Sequence, residues 1–182
     1  VAMNKQGYES FESVMTHGMK ALTPNEFEAA AENSKALILD TRDSADFYKG
    51  FIPQSINIGL GGDFAPWVGA MIANVKQPLL LVTDEGKEEE TVTRLSRVGF
   101  DNILGHLEGG FAVWLAAGKE ADVVDRISAE QFAGEAVFAE DKIIDIRKET
   151  EYAAEHIDDA YNHHRYYINE WIKDLHPAEH VD

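Results

Sequence analysis

The sequence predicts an α/β fold built on a largely parallel sheet, and three observations carry that expectation. Leu79-Leu80-Leu81-Val82 and Ala36-Leu37-Ile38-Leu39 are short apolar runs, as in strands buried on both faces. Each run is followed by polar turn residues and then by helical spacing. Strands and helices alternate with short connections along most of the chain, the pattern of a parallel α/β sheet. In such sheets functional sites form at the C-terminal ends of strands. Asp40 to Arg42 and Thr83 to Glu89 are both placed there.

Taken in order, Tyr8, Phe11 and Met15, with Val14 and Met19, fit a short amphipathic helix within residues 1–20. The chain opens at Val1, and this stretch is expected to be the tail or linker of a preceding domain. Thr23-Pro24-Asn25-Glu26 starts a helix, with Thr as N-cap, Pro at N1 and Glu at N3. That helix runs through Phe27 and Ala31. After the strand at 36–40, Asp46, Phe47 and Tyr48 suggest a helical turn stopped by Gly50. Phe51 to Ser55 is a turn and Ile56-Asn57-Ile58 a short strand. Gly59, Gly61 and Gly62 mark a connection. Phe64 to Val75 is a mainly apolar helix.

The strand at 79–82 leads into Thr83-Asp84-Glu85-Gly86, and a helix from Lys87 turns Val92, Leu95 and Val98 inward. A strand, a tight turn and a helix N-terminus commonly form an anion-handling or nucleophile-bearing loop, because backbone N–H groups and the helix dipole converge there. Here the turn's own acids occupy much of that field. Asp101 to Gly105 is a further strand, Leu107 to Gly110 a turn, and Phe111 to Ala117 a helix ended by Gly118.

A repeat runs through the chain at a constant offset of 105 residues. Residues 22–27, LTPNEF, align with 127–132, ISAEQF; residues 40–47, DTRDSADF, align with 145–152, DIRKETEY; Asn57 aligns with Asn162. The expected organisation is an N-terminal linker or helix at 1–20, one α/β domain at 21–120 and an incomplete second copy at 121–182. The second copy lacks counterparts of the 79–82 strand, its loop and the Gly-Gly helix. About 60 residues cannot bury a good core alone, so Tyr161, Tyr166, Tyr167 and Trp171 form either a sticky surface or this segment's own core.

Composition narrows the function. The 182 residues hold 16 basic and 33 acidic side chains, a net charge of -17. Nucleic acid and anionic membrane surfaces are therefore excluded as partners. There is no cysteine, hence no disulfide, thiolate catalysis or Cys-ligated zinc. No leader or membrane-spanning run is visible, and the expected location is the cytoplasm.

The motifs resemble a known family. Asp40-Thr41-Arg42, then Phe51-Ile52-Pro53-Gln54-Ser55-Ile56-Asn57-Ile58, is similar to the rhodanese motif D-x-R followed by G-H-I-P-G-A-x-N-I. Gly99-Phe100-Asp101-Asn102-Ile103, then Leu107-Glu108-Gly109-Gly110 and Trp114, is similar to the closing motif G-[FY]-x-N-V, L-x-G-G, A-W. The resemblance covers residues 22–118. It implies a parallel sheet with helices on both faces, and a six-residue loop whose cysteine carries a persulfide during sulfur transfer. The family's loop runs C-x-x-G-x-R-S. Gly86 fits its glycine, which puts Thr83 at the cysteine and Glu88 at the arginine; a slip of one residue puts Asp84 at the cysteine instead. Neither holds a sulfane sulfur, and a threonine hydroxyl needs a base to ionise. The resemblance makes Asp40 and Arg42 loop-bracing residues. Glu85, Glu88, Glu89 and Glu90 repel anions, at a cost on the order of 1–4 kcal/mol per like-charge contact at ~4 Å. Thr83, Asp84, Glu85, Gly86, Lys87, Glu88 and Glu89 thus form the counterpart of an active-site loop with no catalytic residue.

The wording of residues 83–114 also resembles rhodanese-like domains that follow a metallo-β-lactamase-type domain, as in persulfide dioxygenase-like proteins of bacterial type. That resemblance implies a preceding catalytic domain of the same parent protein as partner; a homodimer is a separate expectation. The metal-binding H-x-H-x-D-H signature is absent from this chain, so no metal or cofactor is expected on it.

Other constellations have plainer readings. His163-His164 and the pair His176 and His180 are tail or surface residues, since Pro177 interrupts a helix between the latter two. The acids of residues 84–90 serve the helix dipole, and Glu90 with Arg94 makes an i, i+4 pair. Gly59-Leu60-Gly61-Gly62 lacks the lysine and following helix of a P-loop and is a flexible connection. Asp40 and Asp145, each two residues before an Arg, form structural bridges or caps. Three functions remain open: a catalytically silent scaffolding or positioning module, a hydrolase with Asp84 as nucleophile, and a small-ligand or cation sensor using the acidic loop.

Overall fold

A computed structural model describes residues 10–134 and 142–171, side chains 166 and 169 excepted. The chain divides into two compact units, Val1–Asp125 and Arg126–Asp182.

The first unit is a five-stranded sheet in which every pairing is parallel, in the order β1-β5-β4-β2-β3. The strands are β1 (Ala21–Leu22), β2 (Leu37–Asp40), β3 (Ile56–Asn57), β4 (Leu79–Val82) and β5 (Ile103–Leu107). The helices are α1 (Phe11–Gly18), α2 (Pro24–Ser34), α3 (Ser44–Phe47), α4 (Phe64–Met71), α5 (Glu88–Arg97) and α6 (Gly110–Ala116). All four β4 side chains are fully buried, as a central parallel strand requires. The two-residue period of the strand splits them between two cores. Leu79 and Leu81 face Val14 of α1, Phe64 and Val68 of α4, and Val92 and Leu95 of α5. Leu80 and Val82 face Phe27 of α2 and Phe111 and Trp114 of α6. Each such buried side chain contributes about 1.5–3 kcal/mol. Helices therefore cover both faces of the sheet.

Local chemistry sets the ends. The Thr23 hydroxyl accepts from the Glu26 N–H while the Glu26 carboxylate accepts from the Thr23 N–H, a capping box with Pro24 at the first helical position. α4 stops at Met71, short of the expected Val75, because Ile72 turns extended and is buried. β5 runs two residues past the expected Gly105. Gly105 has φ +146°, and a Cβ there would stand 2.6 Å from the Lys20 carbonyl. Only glycine lets the edge strand β1 come that close. β1 itself had no sequence signal. Residues 11–18 pack into this unit through Val14, and Phe51 bridges Asp122 just past residue 120. The glycine-rich connection is not free: Arg94 donates to the carbonyls of Leu60 and Gly62, and α4 starts at Phe64. It thus presents carbonyls where a P-loop presents amides.

The second unit holds α7 (Ala129–Gly134), β6 (Ile144–Asp145), α8 (Glu149–Ala154), β7 (Tyr161–Asn162), a 3₁₀ turn (Arg165–Tyr167) and α9 (Ile168–Trp171). β6 and β7 pair in parallel, Ile144 with Tyr161 and Asp145 with Asn162. In the first unit the residues 105 positions earlier pair identically, Leu39 with Ile56 and Asp40 with Asn57. Ser128 and Gln131 make the capping exchange that Thr23 and Glu26 make. Burial is where the units differ. Ile146, Ile157, Tyr161 and Tyr167 are exposed, and Ala160 alone among the described apolar residues of this unit is buried. Trp171 stacks on His163 and donates to the His164 carbonyl.

Candidate functional site

β2 and β4 end side by side, Asp40 opposite Val82. The Thr41 N–H and hydroxyl both reach the Val82 carbonyl, tying the two strand ends together. The segments that leave them, 41–50 and 83–89, meet the Gly109-Gly110 start of α6. Between them lies an open cleft of about 430 Å³, lined by Arg42, Asp46, Lys49, Gly50, Thr83, Asp84, Glu85, Gly109, Gly110, Phe111, Ala112 and Leu115.

Arg42 fixes one wall. Its Nε donates to both Asp40 carboxylate oxygens at 3.0 Å, and its Nη2 donates to Asp40 at 2.6 Å and to the Gly50 carbonyl at 2.9 Å. Its guanidinium lies 4.3 Å from the Phe111 ring centre, a favourable cation–π placement. Asn57 closes the turn by donating to the carbonyls of Asp40 and Arg42, both at 3.0 Å. Asp40 and Arg42 were expected to brace residues 83–89. Instead they brace residues 40–50, because the bidentate pair and the Gly50 carbonyl consume Nε and Nη2.

The same network stands in the second unit. Arg147 donates to Asp145 and to the Glu155 carbonyl, and Asn162 donates to the carbonyls of Asp145 and Arg147. The carboxyls nevertheless shift in opposite directions. Burial pushes Asp40 above the ordinary aspartate value, against the pull of Arg42, and the Asp84 charge adds to the rise. Asp145, whose side chain is 10% exposed beside a 47% exposed Arg147, is held below it by its hydrogen bonds to Arg147. Equal geometry with unequal burial gives opposite signs.

Thr83 is the first residue after β4 and is 3% exposed. Its carbonyl lies against α6: a Cβ on Gly110, whose φ is +66°, would sit 3.0 Å from it. Gly86 turns the loop with φ +77°. Of the seven loop residues expected to form one site, Thr83, Asp84 and Glu85 line the cleft, whereas Gly86, Lys87, Glu88 and Glu89 do not. The reason is the helix start: Glu88 to Glu90 form the first turn of α5, where acids favour the dipole. Lys87 pairs with Glu90 at 2.9 Å, and Arg94 approaches the same carboxylate at 3.6 Å. Glu90 is held below the ordinary glutamate value, chiefly by the Lys87 hydrogen bond. The acids that face the cleft are thus Asp46, Asp84 and Glu85. Lys49, Gly50, Phe111 and Leu115 were not expected at the site. The only sequence signal for them was the Gly-Gly pair that opens α6.

Among the described residues, no group of three or more His, Asp and Glu side chains could hold a metal ion. His176 and His180 lie outside the described residues, as do Tyr8 and the Tyr166 side chain. No helix among the described residues is long and apolar enough to cross a membrane.

With this geometry in hand, comparison decides the family. The sequence model of the rhodanese-like domain matches residues 23–117, just over half of the chain. The chain belongs to the rhodanese-like family. Solved structures similar to this rhodanese-like chain include the Alr3790 protein of Anabaena sp., at 17% identity and TM-score 0.50, covering 63% of this chain and all of that one. A thiosulfate sulfurtransferase of Pseudomonas aeruginosa matches at 18% identity and TM-score 0.51, over 84% of this chain and 35% of its own. The T414V variant of EanB in complex with hercynine matches at 18% and 0.51, over 86% of this chain and 42% of its own. At these identities the likeness is one of fold. No curated protein matches the sequence.

Proposed function

We propose that this rhodanese-like chain is a non-catalytic module that scaffolds or positions a sulfur-handling enzyme. One observation carries the reading: the residue that leaves β4 into the cleft is the buried Thr83, and the chain has no cysteine. A sulfane sulfur is carried on a thiolate, and an alcohol at this place has neither the acidity nor the redox chemistry to replace it. Asp84 and Glu85 on the cleft wall further disfavour thiosulfate or persulfide there. The wording of residues 83–114 supports a metallo-β-lactamase-type catalytic domain as the partner, in a cytoplasmic protein, with residues 121–182 as a partial second rhodanese-like copy. The shared hydrogen bonds at a 105-residue offset support that duplication. Hydrolysis through Asp84 rests on its position in the cleft alone and is set aside.

A thiosulfate:cyanide assay tests the reading. The expected result is no thiocyanate above the protein-free rate; formation above it refutes the proposal.

A further inference from the structure

Two equivalent strands are flanked differently. In the first unit β2 has a neighbour on each side, β3 and β4. In the second unit β6 has β7 alone among the described residues. The shared register identifies what is lacking. The Leu37 and Thr41 N–H groups donate to the Pro78 and Val82 carbonyls at 2.9 and 2.8 Å, on the β4 side. The residues 105 positions on are Lys142 and Ile146. The Tyr161 and His163 N–H groups donate to the Ile143 and Asp145 carbonyls, so alternation along the strand turns the N–H groups of residues 142, 144 and 146 to the opposite edge. The Ile146 N–H donates to no described residue. The side chains report the same loss of cover. Thr41 is 4% exposed, and Ile52, in one core with Leu80 and Val82 of β4, is 3% exposed. Their counterparts Ile146 and Ile157 are 48% and 49% exposed. An open strand edge beside exposed apolar side chains is a template for a further strand.

We infer that the open edge of β6 is a docking site for an apolar strand of a partner polypeptide, added in parallel in the place that β4 holds beside β2. β4 defines the chemistry of that strand. It is apolar at four successive residues, with the first opposite Lys142 and the third opposite Ile144, because Leu79 pairs with Leu37 and Leu81 with Leu39. The chain's own strands of this kind, β2 and β4, are core strands of the first unit. A net charge of -17 opposes pairing with a second copy. The inference rests on reading residues 121–182 as a second copy of the domain.

The test adds to the whole chain a synthetic peptide with the sequence of residues 77–84, carrying N-terminal lysines for solubility, and follows amide hydrogen exchange by NMR. Saturable binding is expected, with exchange at Ile144 and Ile146 slowed at least about tenfold. Backbone methylation of the peptide gives a directional control. In the first unit the Leu79 N–H donates to the Asn102 carbonyl on the β5 side, so the N–H groups of Leu80 and Val82 face β2. N-methylation at residue 80 is expected to weaken binding about tenfold, and at residue 81 to weaken it far less. Three results each overturn the inference: no saturable binding, equal binding of the peptide methylated at residue 80, or Ile144 and Ile146 amides already protected in the free chain, which would show the edge to be covered by the chain itself. An unprotected Tyr161 amide in the free chain would defeat the duplication as well, since that N–H makes the bond from β7 to Ile143, so the two failures are distinguishable.

Discussion

Replacing Arg42 by Gln and, separately, Arg147 by Gln sets burial against geometry. The two arginines make matching hydrogen bonds to an aspartate two residues back and to a carbonyl eight residues on. In Arg42→Gln the Asp40 carboxylate, with no exposed surface, loses its countercharge. Stranding one member of a buried ion pair costs about 3–5 kcal/mol, a large fraction of a domain's ~5–15 kcal/mol. In Arg147→Gln the partner carboxylate is left where water can reach it, and only a marginal change is expected. The pH dependence follows from the opposite shifts. Asp40 is raised in the fold, so the native state holds the extra proton, and its ionisation subtracts stability as pH rises from the ordinary aspartate range through the folded value. The Arg42→Gln penalty should therefore shrink on acidification, as Asp40 takes up its proton, toward the ~1–3 kcal/mol of a lost neutral partner. Asp145 is lowered, so its contribution is present above the ordinary aspartate value and is lost as pH falls toward the folded one. Arg147→Gln should reduce that acid-side loss, leaving the share held by the residue 147 N–H. Urea titrations read at the amides of Leu39 and Ile144 report the two units separately. Equal penalties for the two variants at neutral pH, or an Arg42→Gln penalty that grows with acid, would refute the reasoning.

Thr83→Cys is expected to give a thiol that alkylates with iodoacetamide more slowly than free cysteine at pH 7.5, because burial and the facing acids disfavour thiolate. Adding Asp84→Asn and Glu85→Gln should speed it, and thiocyanate production should stay at background in both; a single variant faster than free cysteine would contradict the electrostatic picture. Gly110→Ala is expected to cost about 1–2 kcal/mol for its left-handed backbone alone and to shift the Thr83 amide, since its Cβ would press on the Thr83 carbonyl; thermal unfolding within error of the parent would show that the turn relaxes freely.

Much of the fold is legible because it is local. LILD and LLLV declare buried strands, TPNEF writes its own capping box, and the D-x-R pair at 40–42 and 145–147 recurs with its asparagine. What was illegible depends on partners distant in sequence. β1 has only two residues, and it exists because Gly105 lets β5 meet the Lys20 carbonyl. The cleft gathers residues 42–50, 83–85 and 109–115, so no window of sequence contains it. The loop acids were legible as a cluster but not as two groups, because the first turn of α5 takes Glu88 to Glu90 away from the cleft.

The two Asp-Arg pairs show why motif and function come apart. One motif gives one hydrogen-bond pattern in both units, yet in the first the pair is buried beside β4 with Arg42 over Phe111 of α6, and in the second Arg147 stays exposed. Burial raises Asp40 and Arg42 lies over Phe111; exposure leaves the second pair a turn-former. The difference between the two pairs therefore comes from the strand and helix packed beside the motif. These are the elements for which residues 126–171 contain no counterpart among the described residues.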